Sequence, residues 1–156
     1  MKNTWKHSGF SLVEMLVVIA IIALLASMML GVSEYIGTQS KHRALKATFT
    51  LLDSALQQYY DYWDAFPDPN RVNTPVYPSR SAALYGQLYS TPECRAIIDG
   101  LSNKLIRNNI DNIPEIMDPW GTVLDYLYVP GDTFPMIVSA GPDKNLVTVG
   151  DNITNK

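Results

Sequence analysis

Residues 10–32 form a nearly unbroken apolar run, broken by one charge, Glu14. A helix rises about 1.5 Å per residue, so these 23 residues suffice to cross a hydrocarbon core of about 30 Å. An ordinary secretory signal has an apolar centre of only about 7–15 residues, so the run is too long for one. Ala26 and Ser27 otherwise offer the small residues of a signal cleavage site. An ionised carboxylate inside such a span costs about 2.5–3.5 kcal/mol on insertion scales, so Glu14 needs a reason to be there. A short basic leader, MKNTWKHSG, precedes the run.

Past Gly31 and Gly37 the period changes. Leu45, Phe49, Leu52, Leu56, Tyr59 and Trp63 recur at helical spacing, and Lys46, Thr50, Asp53, Gln57 and Asp61 take the opposite face. The helix begun at residue 10 is therefore expected to run on to about residue 62. The first half would be apolar all round and the second half amphipathic, backing a small domain. Gly31 and Gly37 mark either a place where the helix bends when copies pack or an inert lipid–water boundary. Phe66-Pro67-Asp68-Pro69-Asn70 ends the pattern, because proline and the residue before it disfavour helix. Prolines punctuate residues 66–117, with short helices expected at 81–89 and 93–106. The second carries Cys94, Ile97, Ile98, Leu101 and Leu105 on one face, which makes Cys94 a core residue. From Asp118 the chain turns to strands. Residues 123–129 and 134–139 are rich in β-branched and aromatic side chains, with a turn at Pro130-Gly131-Asp132 between them. Trp120 and Tyr126 fall in this region as core residues rather than as a binding platform.

The 156 residues fit one folded domain plus the N-terminal segment. The net charge is -3, and removing the leader takes away Lys2 and Lys6 and no acid, so -3 becomes -5. No basic stripe with interleaved aromatics occurs, which argues against nucleic acid. One cysteine excludes an intrachain disulfide. The two histidines, His7 and His42, belong to no catalytic or phosphate-binding motif, so an enzyme is not expected. Lys41, Arg43 and Lys46 follow the span while Lys2 and Lys6 precede it, so a lysine and arginine count alone mildly places the C-terminal side in the cytoplasm.

The segment GFSLVEMLVVIAIIALLA resembles the class III signal of type IV pilins and type II secretion pseudopilins. The resemblance implies cleavage between Gly9 and Phe10 by a prepilin peptidase and methylation of the new Phe10 amine. It implies that Glu14 pairs with the Phe10 amine of a neighbouring copy during assembly, and that the leader stays inside while the domain lies in the periplasm. Asp118-Pro119-Trp120-Gly121, Tyr126 and Ser139-Ala140-Gly141-Pro142-Asp143 resemble the C-terminal part of the major pseudopilins. The implied fold is α+β and pilin-like, a long N-terminal helix packed on a small antiparallel sheet. Its parts would be a leader at 1–9, a transmembrane and assembly helix at 10–32, an amphipathic continuation at 33–63 and a periplasmic domain at 64–156. The implied function is that of an inner-membrane subunit assembled into a periplasmic pseudopilus. Its partners would be other copies, minor pseudopilins, the peptidase and an inner-membrane assembly platform. A type IV or competence pilin, or a membrane-anchored binding module, are the alternatives.

Major pseudopilins order this last loop with calcium, which takes six to eight oxygen ligands. Here Asp143, Asn145 and Asp151, with Asn152, supply such oxygens. Two positions depart from the family pattern: Lys144 stands where a glycine is usual and Gly150 where the first of two late acids is usual. The other reading of the stretch is a turn in which Asp and Asn satisfy their own backbone.

Overall fold

The computed structural model describes residues 11–71 and 79–156, and the side-chain surroundings of all of these but 28–36 and 71. The Gly9–Phe10 cleavage site lies outside the described residues. Helix α1 spans Leu12–Trp63, 52 residues, and is unbroken at Gly31 and Gly37. The chain divides into two units, Met1–Ser40 and Lys41–Lys156.

In the first unit the side chains of residues 11–27 are all exposed, including Leu12, Leu16, Ile19 and Ile22. Among the described residues no helix is long and apolar enough to cross a membrane. The helical run with described side chains, residues 12–27, is about 24 Å long by its rise per residue, short of a ~30 Å core. The 23-residue span expected from the sequence continues to residue 32, into side chains outside the description.

In the second unit α1 buries Leu45, Phe49, Leu52, Ala55 and Leu56 and half-buries Tyr59. The opposite face is exposed at Lys46, Thr50, Gln57 and Asp61, and Asp53 is half-buried. The stripe fails at its last member. Trp63 is 57% exposed, because α1 stops there and Asp64 takes a left-handed backbone (φ 53°). The Trp63 indole N–H donates to Thr91 Oγ1 at 3.1 Å.

Helix α2 (Arg80–Ser90) starts where the Ser79 hydroxyl accepts from the Ala82 N–H at 3.1 Å. Helix α3 (Pro92–Ile98) has proline at its first position, where no N–H is needed. It is shorter than the expected 93–106. Gly100 and Leu101 close tight turns onto the carbonyls of Ile97 and Ile98, and Ser102 caps a 3-10 turn at Asn103–Leu105. Strand β1 (Ile106–Asn108) then pairs antiparallel with β2 (Pro114–Ile116), Ile106 opposite Ile116. A second sheet holds β3 (Asp125–Leu127), β4 (Met136–Ser139) and β5 (Ile153–Thr154), all antiparallel in that order. Tyr126 lies opposite Ile137, and Ser139 opposite Ile153. The expected strands at 123–129 and 134–139 are thus present but shorter, joined through a turn where Gly131 has φ 109°.

One core joins these elements: Leu45, Leu52 and Leu56 of α1, Leu84 and Leu88 of α2, Cys94 and Ile98 of α3, and Ile116, Tyr126 and Ile137 of the strands. Buried polar groups act as extra rungs. Ser81 Oγ accepts from the Ile116 N–H at 2.9 Å and donates to its carbonyl at 3.1 Å, tying α2 to β2. Gln87 accepts from the Asp68 N–H and donates to the Asp68 carbonyl, holding the segment after α1.

Candidate functional site

The two C-terminal sequence motifs meet at one buried carboxylate. Asp118 is 2% exposed. Its Oδ1 accepts from the N–H groups of Trp120 (3.0 Å) and Thr122 (2.8 Å), which folds Asp118-Pro119-Trp120-Gly121 into a turn. Gly121 takes φ 89° there and donates its N–H to the Asp118 carbonyl at 3.0 Å. The Asp118 Oδ2 accepts the Ser139 hydroxyl proton at 2.7 Å, and Ser139 Oγ accepts from the Gly141 N–H at 3.1 Å. An aspartate 21 residues before Ser139 thus fixes where the last loop leaves β4.

That loop runs from Gly141 to β5. Gly141 has φ 70°, and a Cβ on it would lie 2.4 Å from the Asp151 carbonyl oxygen, so the approach requires glycine. Asp143 and Asp151 are brought together: Asp151 Oδ2 accepts from the Asp143 N–H at 3.1 Å. Asp143 Oδ1 accepts from the Asn145 N–H at 2.8 Å, and Oδ2 accepts from the Thr148 hydroxyl. These bonds, Thr148 foremost, hold the Asp143 carboxyl below the usual carboxylate range and ionised at neutral pH. Asn145 Oδ1 is turned to the Val147 N–H at 3.0 Å. Asn152 Nδ2 donates to the Leu146 carbonyl at 3.0 Å, whereas Asn152 Oδ1 is buried and has no hydrogen-bond partner among the described residues. A buried acceptor without a donor is costly. Two carboxylates and an unused amide oxygen are the hard oxygen donors calcium takes. Among the described residues no group of three or more His, Cys, Asp or Glu is arranged for a metal, so such a site depends on amide and carbonyl oxygens. Lys144 has φ 62°, the left-handed conformation that explains the family's glycine at this place.

At the other end, Glu14 has a local role that the sequence reading missed. Ser11 precedes the first residue of α1. Glu14 Oε2 accepts from the Ser11 N–H at 2.9 Å, and Ser11 Oγ accepts from the Val13 N–H at 3.3 Å. This is a capping box, and the Ser-x-x-Glu spacing was its signal.

The remaining candidates are structural. Cys94 is buried, its thiol faces the Ala55 carbonyl at 3.4 Å, and burial pushes its pKa up to about 11, away from thiolate chemistry. Trp120 and Tyr126 are buried, and the Tyr126 hydroxyl donates to the Pro67 carbonyl at 2.9 Å, so neither offers a platform. His42 sits edge-on to the Trp120 ring with centroids 5.0 Å apart.

Residues 6–30 match the family model "Prokaryotic N-terminal methylation motif". The chain is 32% identical over 159 aligned positions to type II secretion system core protein G of Escherichia coli (strain K12), covering 99% of this chain and 94% of that protein. It is 31% identical to type II secretion system core protein G of Vibrio cholerae serotype O1, covering 85% of this chain and 77% of that protein. No solved structure gives a significant match. Likeness along nearly the whole length, an N-terminal methylation motif and a long helix packed on a small antiparallel sheet agree: the chain belongs to the family of type II secretion system core protein G, the major pseudopilins.

Proposed function

We propose that this chain is a structural, non-catalytic subunit of a type II secretion pseudopilus. The observation that carries the reading is relatedness to core protein G over 94% of that protein's length, together with the motif at residues 6–30. In this reading prepilin peptidase cuts between Gly9 and Phe10 and the Phe10 amine is methylated. Residues 10–32 anchor the subunit in the inner membrane with its domain in the periplasm, until an assembly platform adds it to a filament of copies and minor pseudopilins. Glu14 then faces the Phe10 amine of its neighbour. Intact-mass measurement on protein extracted from membranes tests the first step: the expected mature chain begins at Phe10 with a methylated amine. A start near Ser27, or an uncut Met1, overturns the reading.

Calcium belongs to the same proposal. Asp143, Asn145 and Asp151 would hold it, with Asn152 Oδ1 as a further oxygen, and the ion would supply positive charge that orders the loop. Residues 41–156 form a unit with its own core, so their melting reads the effect. Calcium at about 100 times its dissociation constant adds roughly 2.7 kcal/mol, a rise of several degrees, and magnesium adds less. Asp143→Ala removes the calcium response. It also lowers the melting point slightly in chelator, because Thr148 and the Asn145 N–H lose their acceptor. Lys144→Gly raises the melting point in chelator by relieving about 1 kcal/mol of left-handed strain, and raises the calcium increment by removing a cation. A wild-type melting point indifferent to calcium means that the loop holds itself.

A further inference from the structure

The last loop is pinned at both ends, and the two pins differ. At the entry, Ser139 is held by the buried Asp118 carboxylate and in turn holds the Gly141 N–H. At the exit stands β5, two residues long, with Ile153 opposite Ser139. So short a strand does not hold itself in place, because ordering a residue costs at least as much as one ladder hydrogen bond returns. The residue after β5 supplies the rest. The backbone N–H of Asn155 donates to the Ile137 carbonyl at 3.2 Å, and its side-chain Oδ1 accepts from the Ile137 N–H at 2.9 Å. Its Nδ2 donates to Asp53 Oδ1 of α1 at 2.6 Å and lies 3.5 Å from the Pro135 carbonyl. Asp53 is half-buried, and among the described residues no cation pairs with it. Burial pushes its carboxyl above the usual carboxylate range, and the Asn155 amide pulls it back. A half-buried carboxylate without a cation is short of donors, which makes this bond a strong one.

Asn152 and Asp151 stand immediately before β5. The Asp151 carboxylate lies on the Asp143 N–H, and Asn152 Oδ1 is the buried acceptor left over. Where these oxygens lie therefore depends on where β5 is held. We propose that Asn155, through Asp53 on α1, is a positioning residue for the calcium site, clamping the exit of the loop so that the Asp151 and Asn152 oxygens are in place before the ion arrives. The inference rests on the calcium reading above, and adds to it a residue pair that touches no ion. A loop that is closed only part of the time binds more weakly by that fraction, so an intact clamp tightens binding without supplying a ligand. The coupling is reciprocal: the bound ion holds the clamp shut by the same factor.

The test is calorimetric titration of the full chain in detergent with calcium, with amide hydrogen exchange read on the same samples. Asn155→Asp keeps the side-chain shape and the acceptor for Ile137 but sets a second carboxylate against Asp53. It weakens calcium binding by about tenfold. A mere charge effect has the opposite sign, because an added carboxylate attracts the cation. In chelator the same variant speeds exchange of the Asp143 N–H, while the Gly141 N–H, held from the entry, keeps its wild-type rate. Asp53→Ala reads the contact from the helix side with β5 untouched, and also weakens binding. Asp53→Asn removes the same charge yet changes little, since its amide oxygen still accepts from Asn155. Combining Asp53→Asn with Asn155→Asp exchanges amide and carboxylate, remakes the bond and restores wild-type affinity. Calcium slows exchange of the Ile137 N–H, outside the loop, in the wild type and not in Asn155→Asp. An unchanged or tighter dissociation constant in either Asn155→Asp or Asp53→Ala overturns the proposal. So does a loss in Asn155→Asp that Asp53→Asn does not rescue, which confines Asn155 to the stability of the sheet. A wild-type chain that binds no calcium fails the calcium reading itself, and this proposal with it.

Discussion

Glu14→Gln should yield normally processed, membrane-inserted subunits that make no filaments. The substitution separates two jobs. In the isolated chain Glu14 accepts from the Ser11 N–H and closes a capping box, and a glutamine carbonyl accepts the same bond. What glutamine lacks is the charge for a neighbour's Phe10 amine. Leaving one half of a buried ion pair without its partner costs about 3–5 kcal/mol, so assembly should fall by about a hundredfold or more. Glu14→Val also lacks the charge and in addition loses the bond from the Ser11 N–H, while the Ser11 hydroxyl still caps the Val13 N–H. Both variants insert in the membrane at least as well as wild type, because a costly charge is gone. Membrane fractionation and filament counts on the same cells separate insertion from assembly. Wild-type filament numbers from Glu14→Gln would leave Glu14 as a helix cap and nothing more.

Long-period patterns were readable in the sequence because each rests on burial of one face. The α1 stripe at Leu45, Phe49, Leu52 and Leu56 and the pair of strands around Tyr126 and Ile137 are of this kind. Trp63 followed the period yet stays exposed, since periodicity does not say where the partner surface ends. β1, β2 and β5 are two or three residues long, too short to carry an alternating signal, and rest on pairing partners distant in sequence. The end of α3 was legible in principle: Gly100 and Ser102 are stop signals that the apolar spacing of Leu101 and Leu105 masked. At the last loop the run of Asp and Asn residues was legible, and the structure joins Asp143 to Asp151. The sequence did not show that Asn145 spends its oxygen on the backbone, or that Asn152 is the amide left with a buried unused acceptor. The link from Asp118 to Ser139 was present only as two resemblance motifs, and nothing in their spacing says that one buried carboxylate joins them.

That link makes Asp118→Ala the most damaging change outside the assembly helix. Alanine strands three donors at once: the buried N–H of Trp120 and hydroxyl of Ser139, and the half-buried N–H of Thr122. Each was bonded to a carboxylate, and each unsatisfied buried donor costs about 1–3 kcal/mol, less where water enters the gap. The expected loss is about 3–5 kcal/mol, a fall in melting point of roughly 10–20 °C for residues 41–156. Asp118→Asn should cost less than half of this. Its amide oxygen can still accept from Trp120 and Thr122, and its NH2 can donate to Ser139 Oγ with the hydroxyl proton turned away. Ser139→Ala removes one bond to Asp118 and frees the Gly141 N–H, so it loosens the loop more than the turn. In a double-mutant cycle Asp118→Ala and Ser139→Ala should couple by about 1 kcal/mol or more, because both cut the same bond. Additive losses would mean that the two motifs are stabilised independently, and that the contact between them is incidental to the position of the loop.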